Sequence, residues 1–279
     1  YNRRSGSDAN DLANNAHSAF TSEGGGVADR YQLTDNLSNQ TSVFGSGRVE
    51  DQPFAHGYTD VNQVNFGARS VFDWYGNWSS VGVTGALGAT VQQSNLTSNG
   101  VFIIPAPPYP ERPSATQNFA VNSSIFTEWT FSFPGQWSAT VGGSLNNDVF
   151  ATRNMLKANV LFDTTTLAKK SFGNVFDPRV SLSKTFVNGM MVFGSVSTGF
   201  APPLLSQIIA NNGTVDLALK PEKATQYEAG VQGSWFRHHL TSQLTWFDLD
   251  NTDKLVSQTV ATVTSTINVG EQKSQGAEF

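Results

Sequence analysis

The chain has 279 residues and a net charge of −5, and its charged fraction of 14% is well below the roughly 25% of ordinary soluble domains. No window approaches the ~20 consecutive apolar residues that a spanning helix needs, and the mean hydropathy is −0.26. These values exclude a helical membrane protein and give no basic patch for nucleic acid, yet they require a surface that is not dominated by charge.

The first fifty residues are weakly patterned. Residues 1–26 are rich in Asn, Ser and Gly and are predicted to belong to an extracellular loop. Farther along the chain, apolar residues alternate with small or polar ones, most clearly at 79–92, 137–149, 176–186 and 226–235. Charges are nearly absent from the apolar positions, and the exception, Lys184, lies near the end of a predicted strand.

This alternation predicts eleven strands. They span residues 27–34, 38–49, 62–74, 79–92, 117–132, 137–149, 174–186, 190–200, 223–235, 239–250 and 266–279. The well-patterned strands are about 12 to 14 residues long, whereas strands of soluble proteins cluster near ~5–6 residues. A tilted membrane strand needs ~9–11 residues, so the lengths favour a membrane β-barrel.

The predicted connections alternate in length. Short turns are predicted at 75–78, 134–136, 187–189 and 236–238, and long loops at 93–116, 147–173, 201–222 and 251–266. Aromatic residues cluster near the short turns, as in the girdles of outer-membrane barrels: Trp74, Tyr75, Trp78, Phe131, Phe133, Trp137, Phe186, Trp235 and Phe236. Short turns at one end and long loops at the other are typical of such barrels.

Residues 195–279 carry an ordered set of motifs: GF-x-x-P within SVSTGFAPP, L-x-P-E within LALKPEK, Tyr-Glu-x-Gly-Val within TQYEAGV, and N-x-G…G-x-E within INVGEQKSQGAEF. In order and spacing they resemble the C-terminal half of TonB-dependent outer-membrane receptors, and residues 125–186 resemble the family more loosely. The resemblance implies an all-β fold, a transmembrane antiparallel β-barrel. About eleven strands here would be half of a 22-stranded barrel with a plugged lumen.

The resemblance also sets an expectation for domain content. Residues 1–279 are predicted to be one partial barrel domain, without the plug domain or the short segment that engages TonB. The chain begins without a methionine and stops within a predicted strand, so we expect an internal piece of a longer protein. An open half-barrel would leave two strand edges unpaired in lipid, and we do not expect it to fold stably alone.

The function implied by the resemblance is TonB-driven uptake of a scarce nutrient, such as a ferric siderophore or similar metal chelate. The protein would lie in the outer membrane of a Gram-negative bacterium, with lipid and, through the plug, the TonB complex as partners. A passive porin or an outer-membrane adhesin shares the barrel physics and stays open as an alternative. A secreted β-sandwich acting on glycans conflicts with the strand lengths, the loop asymmetry and the lack of a carboxylate pair.

Ligand contacts are predicted in the Pro-rich segment FIIPAPPYPER, at Phe102, Tyr109 and Arg112, because an aromatic face and a cation suit an anionic, ring-bearing ligand. The alternative is a solvated Pro-rich loop. Glu128, Arg179 and Glu228 fall on the polar parity and are predicted to face the lumen, as ion-pair partners of a plug or as hydrated wall residues.

No catalytic or metal site is predicted. The four histidines, His17, His56, His238 and His239, form no spaced metal or nucleophile motif with nearby carboxylates. We therefore expect no enzyme activity, no metal and no cofactor.

Overall fold

A computed structural model of the protein describes residues 15–103, 111–155, 168–187, 189–208, 216–235, 240–260 and 263–279. Eleven strands contain most of these residues, which confirms the predicted number. Each strand pairs antiparallel with its neighbours in the chain, so the order of strands in the single sheet follows the sequence. No helix in the described part of the chain is long and apolar enough to cross a membrane.

The strands are β1 (Ala19–Thr34), β2 (Leu37–Phe54), β3 (Gly57–Trp78), β4 (Val81–Ile103), β5 (Glu111–Phe133), β6 (Trp137–Asn154), β7 (Ala168–Thr185), β8 (Met191–Ala201), β9 (Glu222–Trp235), β10 (Leu240–Val260) and β11 (Val263–Glu278). A helical turn, α1 (Leu205–Ile208), lies between β8 and β9. β1 and β11 form the two edges of the sheet.

Most strands are longer than predicted, and three predicted long loops are therefore wrong in extent. β4 and β5 remain paired up to Ile103 and Glu111, so strand residues fill most of 93–116. β6 and β7 likewise extend into 147–173, and only two residues separate β10 from β11 within 251–266. Most of the added residues of β4 and β5 are polar on both faces, so alternation is lost there although the strands remain paired. β6 and β7 also remain paired, with a register shift between Asn147 and Val149. Only 201–222 matches its predicted loop closely.

Three local predictions also differ from the structure. Residues 19–26 are not loop but the start of β1, where Gly25 pairs with Gly45. The turn predicted at 75–78 lies instead at 79–80, with Ser79 at a φ of 56°. A tight turn at 55–56 joins β2 and β3 at the end of the sheet where long loops were predicted, so the loop asymmetry holds only in part.

The turns at 134–136 and 187–189 fall where they were predicted, between β5 and β6 and between β7 and β8. The turn predicted at 236–238 lies outside the described residues.

The sheet has two chemically distinct faces. In register across the central strands, one face carries Leu87, Ile125, Leu145 and Val180, and we call it the apolar face. The opposite face carries Asp73, Glu128, Arg179 and Glu228, and we call it the polar face. No described element covers the apolar face, where Ile125 is 59% exposed and Phe176 64%. Such an uncovered apolar surface needs an apolar environment.

Aromatic side chains mark the short-turn end of the apolar face. Trp78, Phe133 and Trp137 lie there, close to the β3–β4 and β5–β6 turns. The Nζ atom of Lys184 lies 5.4 Å from the centroid of the Trp137 ring and donates a hydrogen bond to the carbonyl oxygen of Gly135. The ammonium thus reaches past the apolar positions to the turn, as lysines do at a membrane interface. Tyr75, predicted in the same cluster, lies on the polar face.

Several glycines lie directly beneath an aromatic ring of the neighbouring strand. At Gly85 on the apolar face, an added Cβ would overlap the indole ring of Trp129. That ring lies 6.0 Å from the ring of Trp74, and its Nε1 donates a 2.8 Å hydrogen bond to the hydroxyl of Thr127. The missing side chain therefore permits an aromatic contact that joins β3, β4 and β5.

We predict that Gly85→Ala lowers the free energy of unfolding by about 1–3 kcal/mol, the usual cost of overpacking, because the Trp129 ring must move. Denaturant unfolding of the protein in lipid or detergent measures the change. Gly194→Ala is the matched control on the same face, since its Cβ would make ordinary contact at 3.6 Å with the carbonyl oxygen of Glu228. Equal stability of the two variants would contradict the packing role of Gly85.

Candidate functional sites on the polar face

The central strands place a pair of opposite charges on the polar face. Glu128 of β5 and Arg179 of β7 both pair with Gly142 of β6, which lies between them. Their carboxylate and guanidinium groups approach to 3.8 Å across that glycine, and the side chains are 53% and 60% exposed. An exposed pair of this kind contributes at most about 1 kcal/mol to stability. Either group can therefore leave the pair and bind another partner at little cost in free energy.

Glu228, the third acidic or basic residue predicted on this face, is not part of that ion pair. Its carboxylate accepts a 2.6 Å hydrogen bond from the Gln226 amide and a 3.4 Å hydrogen bond from the Ser195 hydroxyl. These donors lie on its own strand and on β8, so the carboxylate is held in place at the surface. Glu228 therefore presents a fixed hydrogen-bond acceptor.

A shallow cavity of about 490 Å³ lies beside Glu128 toward the short-turn end of this face. Arg30, Asp73 and Tyr75 line it with Glu128, and the Tyr75 hydroxyl donates a hydrogen bond to the carbonyl oxygen of Asp35. The sequence analysis missed Arg30 and Asp73. Their alternating positions on β1 and β3 could have indicated that they lie on the polar face. Weak alternation in the first fifty residues, however, hid which residues of β1 lie on each face.

A second group of residues lies at the opposite end of the polar face, where β2 to β5 extend farthest. Phe102 and Arg112 occupy directly opposite positions of β4 and β5, so the strand register brings two of the predicted ligand contacts together. The Phe102 ring stacks on the ring of Phe54, with centroids 6.4 Å apart and planes inclined by 30°. Tyr109, the third predicted contact, lies outside the described residues.

Phe54 was not predicted, and it contacts Phe102 across a glycine of β3. Gly57 pairs with Phe54 on one side and with Phe102 on the other, and it has no side chain between the two rings. Its φ is 149°, and a Cβ there would overlap the carbonyl of Val101. We call Phe54, Phe102 and Arg112 the aromatic rim.

The described residues contain no group of three or more His, Cys, Asp or Glu side chains that could hold a metal ion. His17 makes a 3.5 Å contact with Asp51, and His56 lies in the β2–β3 turn. His238 and His239 lie outside the described residues. What the polar face offers is hydrogen-bonding and charged groups for recognition.

Comparison with known proteins identifies the family. The family model described as TonB dependent receptor-like, beta-barrel matches residues 1–279. No curated protein matches this chain.

Several solved structures share the fold. The siderophore receptor PiuA from Acinetobacter baumannii aligns with a TM-score of 0.76 at 14% identity, over 95% of this chain and 44% of that one. The unliganded ferric citrate transporter FecA aligns with a TM-score of 0.75 at 14% identity, over 93% and 38%. The ferric-catecholate import receptor Fiu from E. coli K12 aligns with a TM-score of 0.72 at 15% identity, over 93% and 44%.

This chain spans less than half the length of each of these three structures. The likeness at such low identity concerns the fold, and the family assignment rests on the match over the full chain. The protein belongs to the TonB-dependent receptor family, and its residues match that family's β-barrel.

Proposed function

We propose that this chain is part of the barrel wall of an outer-membrane receptor that takes up a ferric siderophore or a similar metal chelate with energy from TonB. The observation that carries the proposal is one continuous sheet with an exposed apolar face and a charged polar face, in a chain of this family. The apolar face would contact lipid, and the polar face the lumen. Transport, not catalysis, is what the family and its structural neighbours support.

The neighbours support the choice of substrate class. PiuA is named as a siderophore receptor, FecA as a ferric citrate transporter and Fiu as a ferric-catecholate import receptor. For this chain, the aromatic rim has the chemistry for such ligands: two stacked rings for an aromatic or flat chelate and an arginine for its negative charge. In a receptor so oriented, the rim lies at the extracellular end, where ligand first arrives.

The proposed division of labour follows from the two ends of the polar face. The aromatic rim binds the chelate, and a plug domain in the remainder of the protein closes the lumen against Glu128, Arg179 and Glu228. TonB acts on that plug from the periplasm, while the barrel wall stays rigid. Residues 1–279 would thus supply about half of a 22-stranded barrel in the outer membrane of a Gram-negative bacterium. A passive porin or adhesin needs no plug. Contacts between a plug and the polar face would therefore distinguish a TonB-driven receptor from these alternatives.

A lysine on the apolar face tests the lipid contact. We expect Val180→Lys to lower the free energy of unfolding in lipid bilayers by about 2–4 kcal/mol, the cost of a charge near the midplane. Ser181→Lys is the control, because the next residue faces the opposite side of the sheet. Denaturant unfolding in vesicles measures both, and similar losses would argue against lipid on the face that carries Val180.

Substitution of the aromatic rim tests ligand recognition. Phe102→Ala and Phe54→Ala should each raise the Kd of the receptor's chelate about fivefold, because a ring contact contributes about 1 kcal/mol. Arg112→Lys should retain more affinity than Arg112→Ala. Binding of a panel of ferric chelates to the intact receptor, followed by intrinsic fluorescence, measures these effects. Phe66→Ala, on the apolar face, is the control. An unchanged Kd in both Phe variants would remove the rim from the binding site.

Neutralisation of Glu128 tests the plug contact. In the intact receptor, Glu128→Gln should lower the stability of the plug by about 1.5–3 kcal/mol, because a charged hydrogen-bond partner is lost. Glu271→Gln makes the same charge change on the opposite face and should have no effect. Urea unfolding followed with a fluorophore on the plug separates the two. A plug unaffected by Glu128→Gln and also by Arg179→Gln would contradict the contact.

A further inference from the structure

The segment between β8 and β9 differs from the rest of the described structure because several of its hydrophobic residues are buried. Pro203 is fully buried, and Ile208 and Leu219 are 2% and 3% exposed. In the described part of the sheet, Val83 is the only buried hydrophobic residue, at 6% exposed. The backbone N–H of Asp216 donates a 2.8 Å hydrogen bond to the carbonyl oxygen of Ile208. This bond joins the two described parts of the segment, residues 202–208 and 216–221.

One side chain from β11 holds this segment through its backbone. The Oδ1 atom of Asn268 accepts a 2.8 Å hydrogen bond from the N–H of Lys220, and its Nδ2 donates a 2.9 Å hydrogen bond to the carbonyl oxygen of the same residue. The carboxamide thus satisfies both backbone groups of Lys220, as a paired strand would. Its second Nδ2 hydrogen donates to the carbonyl oxygen of Asp253 at 2.6 Å.

The position of Asn268 is set by an irregularity in the β10–β11 hairpin. Asp253 has a φ of 54°, and the register passes from Thr252–Glu271 directly to Lys254–Val269. This irregularity turns the carbonyl of Asp253 toward Asn268. It also marks the point where β9 stops pairing with β10, since Lys223–Thr252 is the last pair.

Glu222 makes the reciprocal contact. The backbone N–H of Leu255, just beyond the last β9 pair, donates a hydrogen bond to the Glu222 carboxylate. Glu222, the first residue of β9, therefore takes the place of a strand for β10, while a side chain of β11 takes the place of a strand for the segment. On the other flank, the ammonium of Lys170 in β7 donates to the carbonyl oxygen of Leu217.

We propose that Asn268 is a positioning residue. With Glu222, it locks residues 216–221, the part of the segment next to β9, to the extended β10–β11 hairpin, so that the two form one rigid unit at the long-loop end of the barrel wall. Three hydrogen bonds from one carboxamide and the reciprocal carboxylate contact fix the spacing between them. If the protein has the proposed function, this unit is a preformed wall of the ligand entrance.

The test measures the spacing directly in the intact receptor. Spin labels at Leu217→Cys and Ser257→Cys report the distance between the segment and the hairpin by pulsed electron paramagnetic resonance. With Asn268 present we expect one narrow peak, and with Asn268→Ala a broad distribution. Hydrogen exchange of the Lys220 amide should accelerate about fivefold in Asn268→Ala, since a net hydrogen bond contributes about 1 kcal/mol.

Asn268→Asp separates positioning from general stability. The carboxylate keeps an acceptor for the Lys220 N–H but has no donor for the two carbonyl oxygens, so the distribution should be broad at neutral pH.

Gln258→Ala, exposed on the same hairpin, is the matched control, and heat-modifiable gel mobility verifies that each variant forms a barrel. A narrow peak and an unchanged Lys220 exchange rate in a folded Asn268→Ala receptor would overturn the proposal. Chelate binding to the same variants should weaken wherever the peak broadens. If the unsubstituted receptor binds no chelate of the panel, the proposed function fails, while the distance measurement still decides the role of Asn268.

Discussion

Backbone hydrogen bonding between neighbouring strands is the interaction on which the rest of this molecule depends. Side-chain burial contributes little within the described sheet, where Val83 is the one buried apolar residue. A ladder with few irregularities satisfies most of the polar backbone, so the sheet can expose apolar side chains on one face without exposing the peptide groups beneath them. Both faces are then free to meet different surroundings, and the residues that face each one follow from parity alone.

The alternation of side chains along each strand also determined what could be predicted from the sequence. Where one face is apolar, as at 79–92 or 137–149, alternation located the strands and their faces correctly. Both faces are mostly polar at residues 93–103 of β4 and 111–116 of β5. There the alternation is lost although the two strands remain hydrogen-bonded, and the sequence analysis predicted a loop. Pairing of glycine with glycine at the start of β1 has the same effect, since neither residue has a side chain to alternate.

The candidate sites were harder to predict because they depend on register and on backbone approach. Phe102 and Arg112 were chosen for their chemistry, but their direct opposition follows from the length of the β4–β5 hairpin. Phe54 meets Phe102 because both pair with Gly57, and this register across three strands cannot be read from alternation. The motifs around Glu222 and Asn268 were recognised by their order, yet the contact joins residues 48 positions apart through a side chain and a backbone.

The strictly sequential order of the strands has a consequence for how the wall is assembled. Every pairing joins a strand to its immediate neighbour in the chain, so each step closes only the one connection between two strands. The sheet can therefore grow by one strand at a time, with the newest edge as the template for the next. An error of one residue in the register of a newly added strand would place its whole apolar set on the opposite face.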